Sequence, residues 1–353
     1  MGDNMSRLRT SFAALSVATL LALTGCSGQD DPAADDATSA PESAPAESTA
    51  GESITVGDIT ITDKGDGTRT VDGTMNGTVA DVPAEPQRVV ALWRVGSELA
   101  EMKVIPVAAI DGEFNESELS ADLYSSVADV PSIGSFEGVD VEKIIAADPD
   151  LIIGMDNGAL SIDYTPLQDI APTVILPIAE PTDVWRNYPA VAAVVGKSTD
   201  YDNRLAELDK KLEAIASEYG EGLADKPVTV VNSSMDKIWA STSKSLVYER
   251  LVQAGFTYNE AYTNNPARYV EEITAENLAD LANQSAIFYQ TDLVGTPLLG
   301  TDELRALDSY KRLPAVEAGL EFPVTSGVIY TFEAADKQVE DIRTAAKALA
   351  EAK

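Results

Sequence analysis

Cys26 is the only cysteine of the 353 residues, and the chain contains no histidine. A single thiol cannot form an internal disulfide, and it has neither a second cysteine nor a histidine with which to build a metal site. A serine or cysteine nucleophile would also lack histidine, its usual activating base. No G-x-S-x-G, phosphate-binding loop or G-x-G-x-x-G motif occurs, and nothing singles out a catalytic carboxylate pair among the 58 acidic residues. The sequence therefore disfavours an enzyme, and a carboxylate-based enzyme remains an alternative.

The residues before Cys26 give the thiol a different role. Arg7 and Arg9 precede the apolar run "FAALSVATLLAL", and small residues stand directly before the cysteine. This is the layout of a secretory signal, and the run is too short to span a membrane. The ending "LTGC" resembles the lipobox of bacterial lipoproteins, in which the cysteine receives lipid and becomes the first mature residue. We therefore expect residues 1–26 to be a lipoprotein signal and Cys26 to be the lipidation site, with an ordinary signal peptide as the alternative.

Residues 27–52 follow as a segment with seven acidic residues, no lysine or arginine, and many Ala, Pro, Ser and Thr. Such a composition buries no core and repels itself into an extended chain. We expect this segment to be a disordered acidic tether between the anchor and a folded part.

Charge and size limit the partners of the folded part. The net charge is −33, which argues against nucleic acid because phosphate binding needs clustered Lys and Arg. About 44% of the residues are hydrophobic, so a substantial core is expected, and the remaining length suffices for two lobes.

Two similar halves follow one another along the chain. In the first, strands such as "RVVAL" and "DLIIG" alternate with short helical segments, and in the second "EEITAENLADLANQSAIFYQ" repeats the layout of "VDVEKIIAADPDLIIG". This alternation predicts parallel βαβ units. Between the halves, six apolar residues recur at steps of three and four, which predicts one long amphipathic helix. These residues are Tyr201, Leu205, Leu208, Leu212, Ile215 and Tyr219.

This organisation resembles the substrate-binding proteins of bacterial ABC importers, in the class whose two lobes are joined by a single long helix. Four segments are similar in sequence to the iron–siderophore branch of this class. They are "PQRVVAL", "VDVEKIIAADPDLIIG", "YTPLQDIAPTVIL" and "YVEEITAENLADL". The resemblance implies an α/β fold with two Rossmann-like lobes, a ligand cleft between them and only small lobe closure. The implied organisation is an N-terminal lobe at 53–195, an interlobe helix at 196–220 and a C-terminal lobe at 221–353.

Two glutamates occupy equivalent positions in the repeated unit, Glu142 in "VEKIIAADPD" and Glu276 in "TAENLADL". In the family that this chain resembles, one such glutamate from each lobe meets an arginine of the permease dimer. The alternative is that both are ordinary acids at the start of a helix, where the helix dipole favours them.

The cleft residues are expected in loops after the strands, because ligands bind at the carboxyl ends of parallel sheets. The first half offers Trp93, Arg94, Ser135, Phe136 and Asn157, and the second offers Trp239, Ser241, Lys244, Arg268, Tyr269 and Tyr330. Arg94 and Arg268 provide one cation from each lobe, although an arginine beside an aromatic ring is often only a surface cation packed on that ring. Tyr289 and Gln290 are further candidates. Trp185 and Arg186 either reach the cleft or cap a helix, and the second is the expectation.

A ferric siderophore carries its metal inside an oxygen cage, so its receptor needs aromatic walls and cations rather than side chains that ligate iron directly. Without histidine, a receptor for bare zinc or manganese is disfavoured. Cobalamin and haem remain alternatives on the same fold. The acidic surface favours a neutral or cationic hydroxamate or mixed-type siderophore over an anionic catecholate.

The resemblance thus implies a monomeric receptor without a resident cofactor, held by lipid on Cys26 at the extracytoplasmic face of the cell membrane. Its partners would be an Fe(III)–siderophore complex and an ABC permease. A structural surface lipoprotein would explain the anchor and the tether but not the two matched halves.

Overall fold

The computed structural model describes residues 51–234, 236–326 and 331–352. These described residues form one compact unit. Within the described part, no helix has the length and apolar character needed to cross a membrane.

The unit begins with a four-stranded antiparallel sheet, in which each strand pairs with the next through a tight turn. Alternation of Ile, Val and Thr with polar residues favours such strands, and the inward side chains Ile59, Ile61 and Val71 are buried. The strands are β1 (Ser53–Val56), β2 (Ile59–Asp63), β3 (Thr68–Thr74) and β4 (Gly77–Pro83).

The N-lobe is built around a parallel sheet in the order β10-β9-β5-β6. Its strands are short apolar runs, as expected for strands that are buried on both faces. Strands of this part are β5 (Val89–Ala91), β6 (Ala108–Ala109), β7 (Gly134–Ser135), β8 (Gly138–Val139), β9 (Leu151–Asp156) and β10 (Thr173–Pro177). Helices are α1 (Gly96–Glu101), α2 (Ala121–Val127), α3 (Val141–Ala147), α4 (Thr165–Gln168) and α5 (Asp183–Val194).

The turn between β3 and β4 covers the free edge of this parallel sheet. The backbone N–H of Met75 donates to the carbonyl of Ile175 at 2.9 Å, and the Asn76 side chain donates to the carbonyl of Thr173 at 2.6 Å. An open strand edge exposes unpaired backbone groups that can pair with another chain. The first sheet therefore protects β10 from such pairing.

The C-lobe contains a mixed sheet in the order β14-β12-β11-β15-β16, with β13 beside β11. Strands β11, β15 and β16 run parallel, while β12 and β14 are antiparallel to their neighbours. The strands are β11 (Pro227–Ser234), β12 (Lys237–Ser241), β13 (Thr257–Tyr258), β14 (Val270–Ile273), β15 (Ala286–Thr291) and β16 (Glu321–Thr325). The α-helices are α7 (Leu246–Gln253), α8 (Thr301–Ala306), α9 (Asp308–Lys311), α10 (Pro314–Glu317) and α11 (Phe332–Glu351), and 3-10 turns lie at Glu260–Tyr262 and Asn277–Leu281.

The long helix between the lobes is α6 (Ser198–Leu223), and it packs against α5 and α11. Its apolar stripe is buried at Tyr201, Leu208, Leu212 and Ile215, while Leu205 and Tyr219 are partly buried against the same core. One cluster of buried apolar side chains runs from the N-lobe through α6 into the C-lobe. The predicted α/β fold with two lobes joined by one long helix is confirmed.

Candidate functional site

The carboxyl edge of the N-lobe sheet holds Trp93 and Arg94 directly after β5. The carbonyl of Trp93 accepts the N–H of Met155 at 2.8 Å, which fixes this segment beside the end of β9. The Arg94 guanidinium carbon lies 5.1 Å from the centroid of the Trp93 ring, within the range of a cation–π contact. Both side chains are half-buried, so the pair forms part of the surface at this edge.

Arg94 also adopts an unusual backbone conformation, with φ of 67°. A non-glycine residue in this left-handed region needs support from its surroundings. The support comes from Glu113, whose carboxylate accepts the backbone N–H groups of Arg94 (2.9 Å), Val95 (2.8 Å) and Gly96 (2.5 Å). A Cβ on Gly96 would lie 2.6 Å from Cγ of Glu113, so glycine permits this close approach.

The next loops of the same edge contain Ser135, Phe136 and Asn157. Phe136 stands at the turn between β7 and β8 with 54% of its surface exposed, and its carbonyl accepts the N–H of Ser161 at 3.1 Å. Ser135 is half-buried and Asn157 is exposed. The Asn157 side chain accepts the N–H of Ala159 at 3.0 Å, which stabilises the turn after β9.

In the C-lobe, Lys244, Arg268 and Tyr269 are brought together by the pairing of β12 with β14. The Lys244 ammonium donates to the carbonyl of Ala267 at 3.0 Å, and the Arg268 guanidinium lies 6.0 Å from the Tyr269 ring. Lys244 and Arg268 are exposed, so this group presents two cations and a phenol. Ser241 belongs to the same strand end but is only 2% exposed, and its carbonyl accepts the Tyr258 hydroxyl.

Trp239 lies within β12, opposite Asn232 of β11 and Glu272 of β14. Its indole N–H donates weakly to the carbonyl of Ser234 at 3.4 Å, and the ammonium of Lys237 lies 5.6 Å from the ring centroid. The neighbouring Asn232 amide donates to the side chain of Gln290 at 2.8 Å, which places Gln290 of β15 close to this part of β11. Asn232 was not among the residues predicted from sequence, because nothing in "TVVNSS" distinguishes it from a turn residue.

Polar contacts join the two edges across the lobes. The N–H of Tyr269 donates to the Glu180 carboxylate at 3.2 Å, and the N–H of Leu293 donates to the carbonyl of Ser117 at 3.4 Å. Arg186 of α5 donates to the carbonyl of Lys244 at 3.1 Å. The Lys244 and Tyr269 group therefore lies against the N-lobe. Of the other predicted site residues, Cys26 and Tyr330 lie outside the described residues.

Trp185 and Arg186 do not cap a helix, contrary to the prediction. Trp185 is 8% exposed and stacks under the guanidinium of Arg250, 4.7 Å from the ring centroid, while the Phe332 ring lies at 5.0 Å. Arg250 and Phe332 belong to the C-lobe, so Trp185 packs between the lobes. The apolar periodicity of α6 could not predict this contact, because the contact depends on tertiary packing between residues that are distant in the chain.

Three buried glutamates of the N-lobe were not anticipated from sequence. Glu98 is completely buried, and burial raises its pKa well above the ordinary value, with the nearby carboxylates of Glu113 and Glu101 adding to the rise. Burial likewise raises the pKa of Glu113 to about 7 against the opposing effect of its three backbone N–H donors. Their positions in the short segments "GSELAE" and "DGEF" show no pattern that separates them from surface acids.

Glu101 links the lobes directly. Its carboxylate accepts the Tyr188 hydroxyl at 2.8 Å and the backbone N–H groups of Phe332 (2.7 Å) and Glu333 (2.9 Å) at the start of α11. Burial raises the pKa of Glu101, whereas these hydrogen bonds oppose the rise. A carboxylate at a helix N-terminus satisfies backbone donors that have no partner within the helix.

Glu142 and Glu276 are both exposed. Glu142 lies in the first turn of α3, where its N–H donates to the side chain of Asp140 at 3.1 Å. Glu276 precedes the 3-10 turn at Asn277–Leu281, whereas the sequence predicted a helix there of the same type as α3. The two glutamates are therefore equivalent in sequence, but one lies in an α-helix and the other precedes a 3-10 turn.

Known proteins share parts of the sequence or the fold of this chain. The model of the periplasmic binding protein family matches residues 99–320. A probable siderophore-binding lipoprotein, YfiY of Bacillus subtilis, is 27% identical over 292 residues, which are 78% of this chain and 87% of that protein. The siderophore periplasmic binding protein from the fuscachelin gene cluster of Thermobifida fusca aligns with a TM-score of 0.65 and 24% identity over 76% of this chain and 98% of its own. FhuD2 of Staphylococcus aureus, solved with bound ferrioxamine B, aligns with a TM-score of 0.57 and 20% identity over 75% of this chain and 100% of its own.

Proposed function

The chain belongs to the periplasmic binding protein family, and we propose that it captures a ferric siderophore outside the cytoplasm and delivers it to an ABC permease. The observation that carries this proposal is its similarity to a probable siderophore-binding lipoprotein over 78% of its length. An iron(3+)-hydroxamate-binding protein, YxeB of B. subtilis, is similar over 42% of the chain. The protein acts as a receptor that releases its cargo unchanged, and iron enters as cargo rather than as a resident cofactor.

We assign the ligand to the space at the two lobe edges. Trp93, Arg94 and Phe136 supply rings and a cation from the N-lobe, while Lys244, Arg268 and Tyr269 supply two cations and a phenol from the C-lobe. Aromatic faces suit the organic shell of a siderophore, and guanidinium or ammonium groups suit its anionic donor oxygens. Ser135, Asn157, Trp239 and Tyr330 complete the proposed contacts, with the buried Ser241 supporting the strand end beneath them.

The continuous core between the lobes supports limited closure. Trp185, Tyr188 and Phe332 pack across the lobes with ring centroids 5.0 to 5.7 Å apart. Separating the lobes widely would expose these rings to water, which costs free energy in proportion to the apolar area. Small closing movements about α6 are therefore favoured over a wide hinge.

We place the permease contact at Glu142 and Glu276 and the membrane anchor at Cys26, with residues 27–52 as the tether. An exposed carboxylate on each lobe suits an arginine on each permease subunit, because a bidentate pair between these groups is strong and directional. Neither glutamate is engaged in an ion pair with another described residue.

Uptake of radioactive iron tests this assignment in cells whose own copy of the gene is deleted. Restored uptake of a ferric siderophore by the intact chain is the expected result. Glu142→Ala combined with Glu276→Ala should abolish uptake while leaving siderophore binding by the purified protein unchanged. Glu116→Ala and Glu303→Ala together remove the same charge and serve as the control. Uptake that is independent of the gene would refute the proposed function, and normal uptake with the double variant would refute only the docking sites.

A further inference from the structure

A small cavity lies at the N-lobe edge, beside the proposed ligand wall. The cavity has room for about one water-sized group. Its lining consists of Arg94, Ser97, Glu98, Glu113 and Glu118.

Glu98 is the residue of this lining whose side chain is buried without a hydrogen bond to another described residue. Its side chain is 0% exposed, and neither carboxylate oxygen has a hydrogen-bond partner among the described residues. A buried carboxylate without a partner is costly, so such a group stays protonated or acquires a cation. Glu98 therefore brings two unpartnered acceptor oxygens to the lining of a space that one small group can fill.

The other lining residues determine the charge of that group. Glu113 and Glu118 add two carboxyl groups, and Arg94 is the one cationic side chain in the lining. The Glu113 carboxylate is already engaged by three backbone N–H groups. Glu118 is exposed, and the adjacent Ser117 carbonyl receives the N–H of Leu293 from the C-lobe. The acidic lining thus extends from the buried Glu98 to the surface at a point where the lobes meet.

We propose that this cavity binds the primary ammonium group of an amine-bearing ferric siderophore, with Glu98 as its buried partner and Glu118 at the entrance. The inference rests on the proposed function and narrows its substrate class to siderophores with a cationic arm. A primary ammonium has three N–H donors, which can engage both free oxygens of Glu98 and one further carboxylate. A guanidinium is too large for this space, and a hydrated divalent cation needs about six oxygen ligands that the cavity cannot hold.

Binding should be linked to proton release. Burial, together with the neighbouring carboxylates of Glu113 and Glu101, raises the pKa of Glu98 and so favours the protonated form of its carboxyl. When the ammonium enters, the ionised carboxylate becomes the favoured form, the O–H bond of Glu98 breaks and the proton passes to the solvent. Titration calorimetry in buffers of different ionisation enthalpy measures this proton directly.

The test compares ferrioxamine B, a linear trihydroxamate with one primary amine, with its N-acetylated form, which keeps the same iron cage but lacks the charge. Residues 27–353 are titrated with both complexes. We expect ferrioxamine B to bind at least about tenfold more tightly, because a charge-assisted contact with a buried carboxylate is lost on acetylation. In Glu98→Gln the ratio of the two affinities should fall to about one and the proton release should disappear. Glu116→Gln, an exposed acid outside the cavity lining, should retain the wild-type ratio.

Equal affinity of the wild-type chain for the two complexes would overturn the inference and leave the proposed function standing, and so would binding of only a catecholate or carboxylate siderophore. This comparison needs no variant, so it holds even where Glu98→Gln fails to fold. Ammonium chloride without siderophore tests a free cation as the occupant. If it raises the melting temperature of the wild-type chain but not of Glu98→Gln while the two complexes bind equally, the site takes a free cation and the siderophore assignment is wrong.

Discussion

The two edges that face the cleft differ in where they place charge. At the N-lobe edge the acids Glu98 and Glu113 are buried and the base Arg94 is half-buried, and the side chain of Glu101 nearby is only 6% exposed. The C-lobe edge exposes Lys244 and Arg268. In a chain of net charge −33, surface acids are expected everywhere, so the informative charges are the buried acids and the exposed bases.

Each set is held by the backbone in its own way. Glu113 and Glu101 accept N–H groups at chain segments that begin helices, whereas Lys244 donates to the carbonyl of Ala267. Backbone donors stabilise anions and backbone acceptors stabilise cations, and the Glu101 carboxylate also lies 3.7 Å from the guanidinium of Arg204. The carboxylates of Glu113 and Glu101 therefore stabilise the folded chain, and the C-lobe cations remain available to a ligand.

The largest effect is expected from removing the cations of both edges. Arg94→Ala combined with Arg268→Ala should weaken the binding of a ferric siderophore by at least about 100-fold, because each lost charged hydrogen bond contributes about 1.5–3 kcal/mol. Arg343→Ala, an arginine that pairs with Glu218, is the matched control. Fluorescence titration measures the three affinities. Unchanged affinity in the double variant would mean that neither arginine belongs to the ligand site.

The buried acids should make the protein less stable as the pH rises. The folded-state pKa of Glu113 is about 7 against 4.5 for an exposed glutamate, so the folded state retains a proton that the unfolded state has released between these values. The free energy of unfolding should therefore fall between pH 4.5 and pH 7, with Glu113 contributing about 3 kcal/mol of the decrease. Urea denaturation across this range should show a shallower decrease in Glu113→Gln than in the wild-type chain and in Glu116→Gln. Equal slopes in all three would exclude Glu113 as the titrating group.

Removing the Glu101 contact at the start of α11 tests whether this carboxylate stabilises the packing of the two lobes. Glu101→Ala leaves the N–H groups of Phe332 and Glu333 and the Tyr188 hydroxyl without their acceptor. We expect a loss of about 2 kcal/mol in the free energy of unfolding at pH 6. Glu340→Ala, on the exposed side of the same helix, is the control. A change below about 0.5 kcal/mol would show that the contact adds nothing to lobe packing.

The smallest effect should come from the exposed pair between the lobes. The Arg186 guanidinium lies 2.9 Å from the Glu249 carboxylate, and both side chains are more than 40% exposed. Exposed ion pairs contribute about 0–1 kcal/mol, so Arg186→Ala should change the free energy of unfolding by about 0.5 kcal/mol. A loss as large as that of Glu101→Ala would contradict the distinction between buried and exposed charge on which the comparison rests.

Periodicity predicted the elements whose residues make local patterns. The apolar stripe from Tyr201 to Tyr219 predicted α6, and the short apolar runs predicted the parallel strands. Periodicity could not show that Glu98 is buried or that Trp185 packs on Arg250, because both depend on elements distant in the chain. The placement of candidate residues after strands was within reach of sequence reasoning, whereas the contact of Lys244 with Ala267 needed the register of β12 and β14.

The most direct test is a titration of residues 27–353 with ferric siderophores, followed by tryptophan fluorescence. Two of the three tryptophans, Trp93 and Trp239, lie in the proposed ligand site, so a bound ferric complex should quench them. We predict saturable quenching at one ligand per chain by a ferric hydroxamate and none by haem or cobalamin. Tight binding of haem or cobalamin without any siderophore, or binding of no ligand of the panel, would contradict the assignment of this protein as a siderophore receptor.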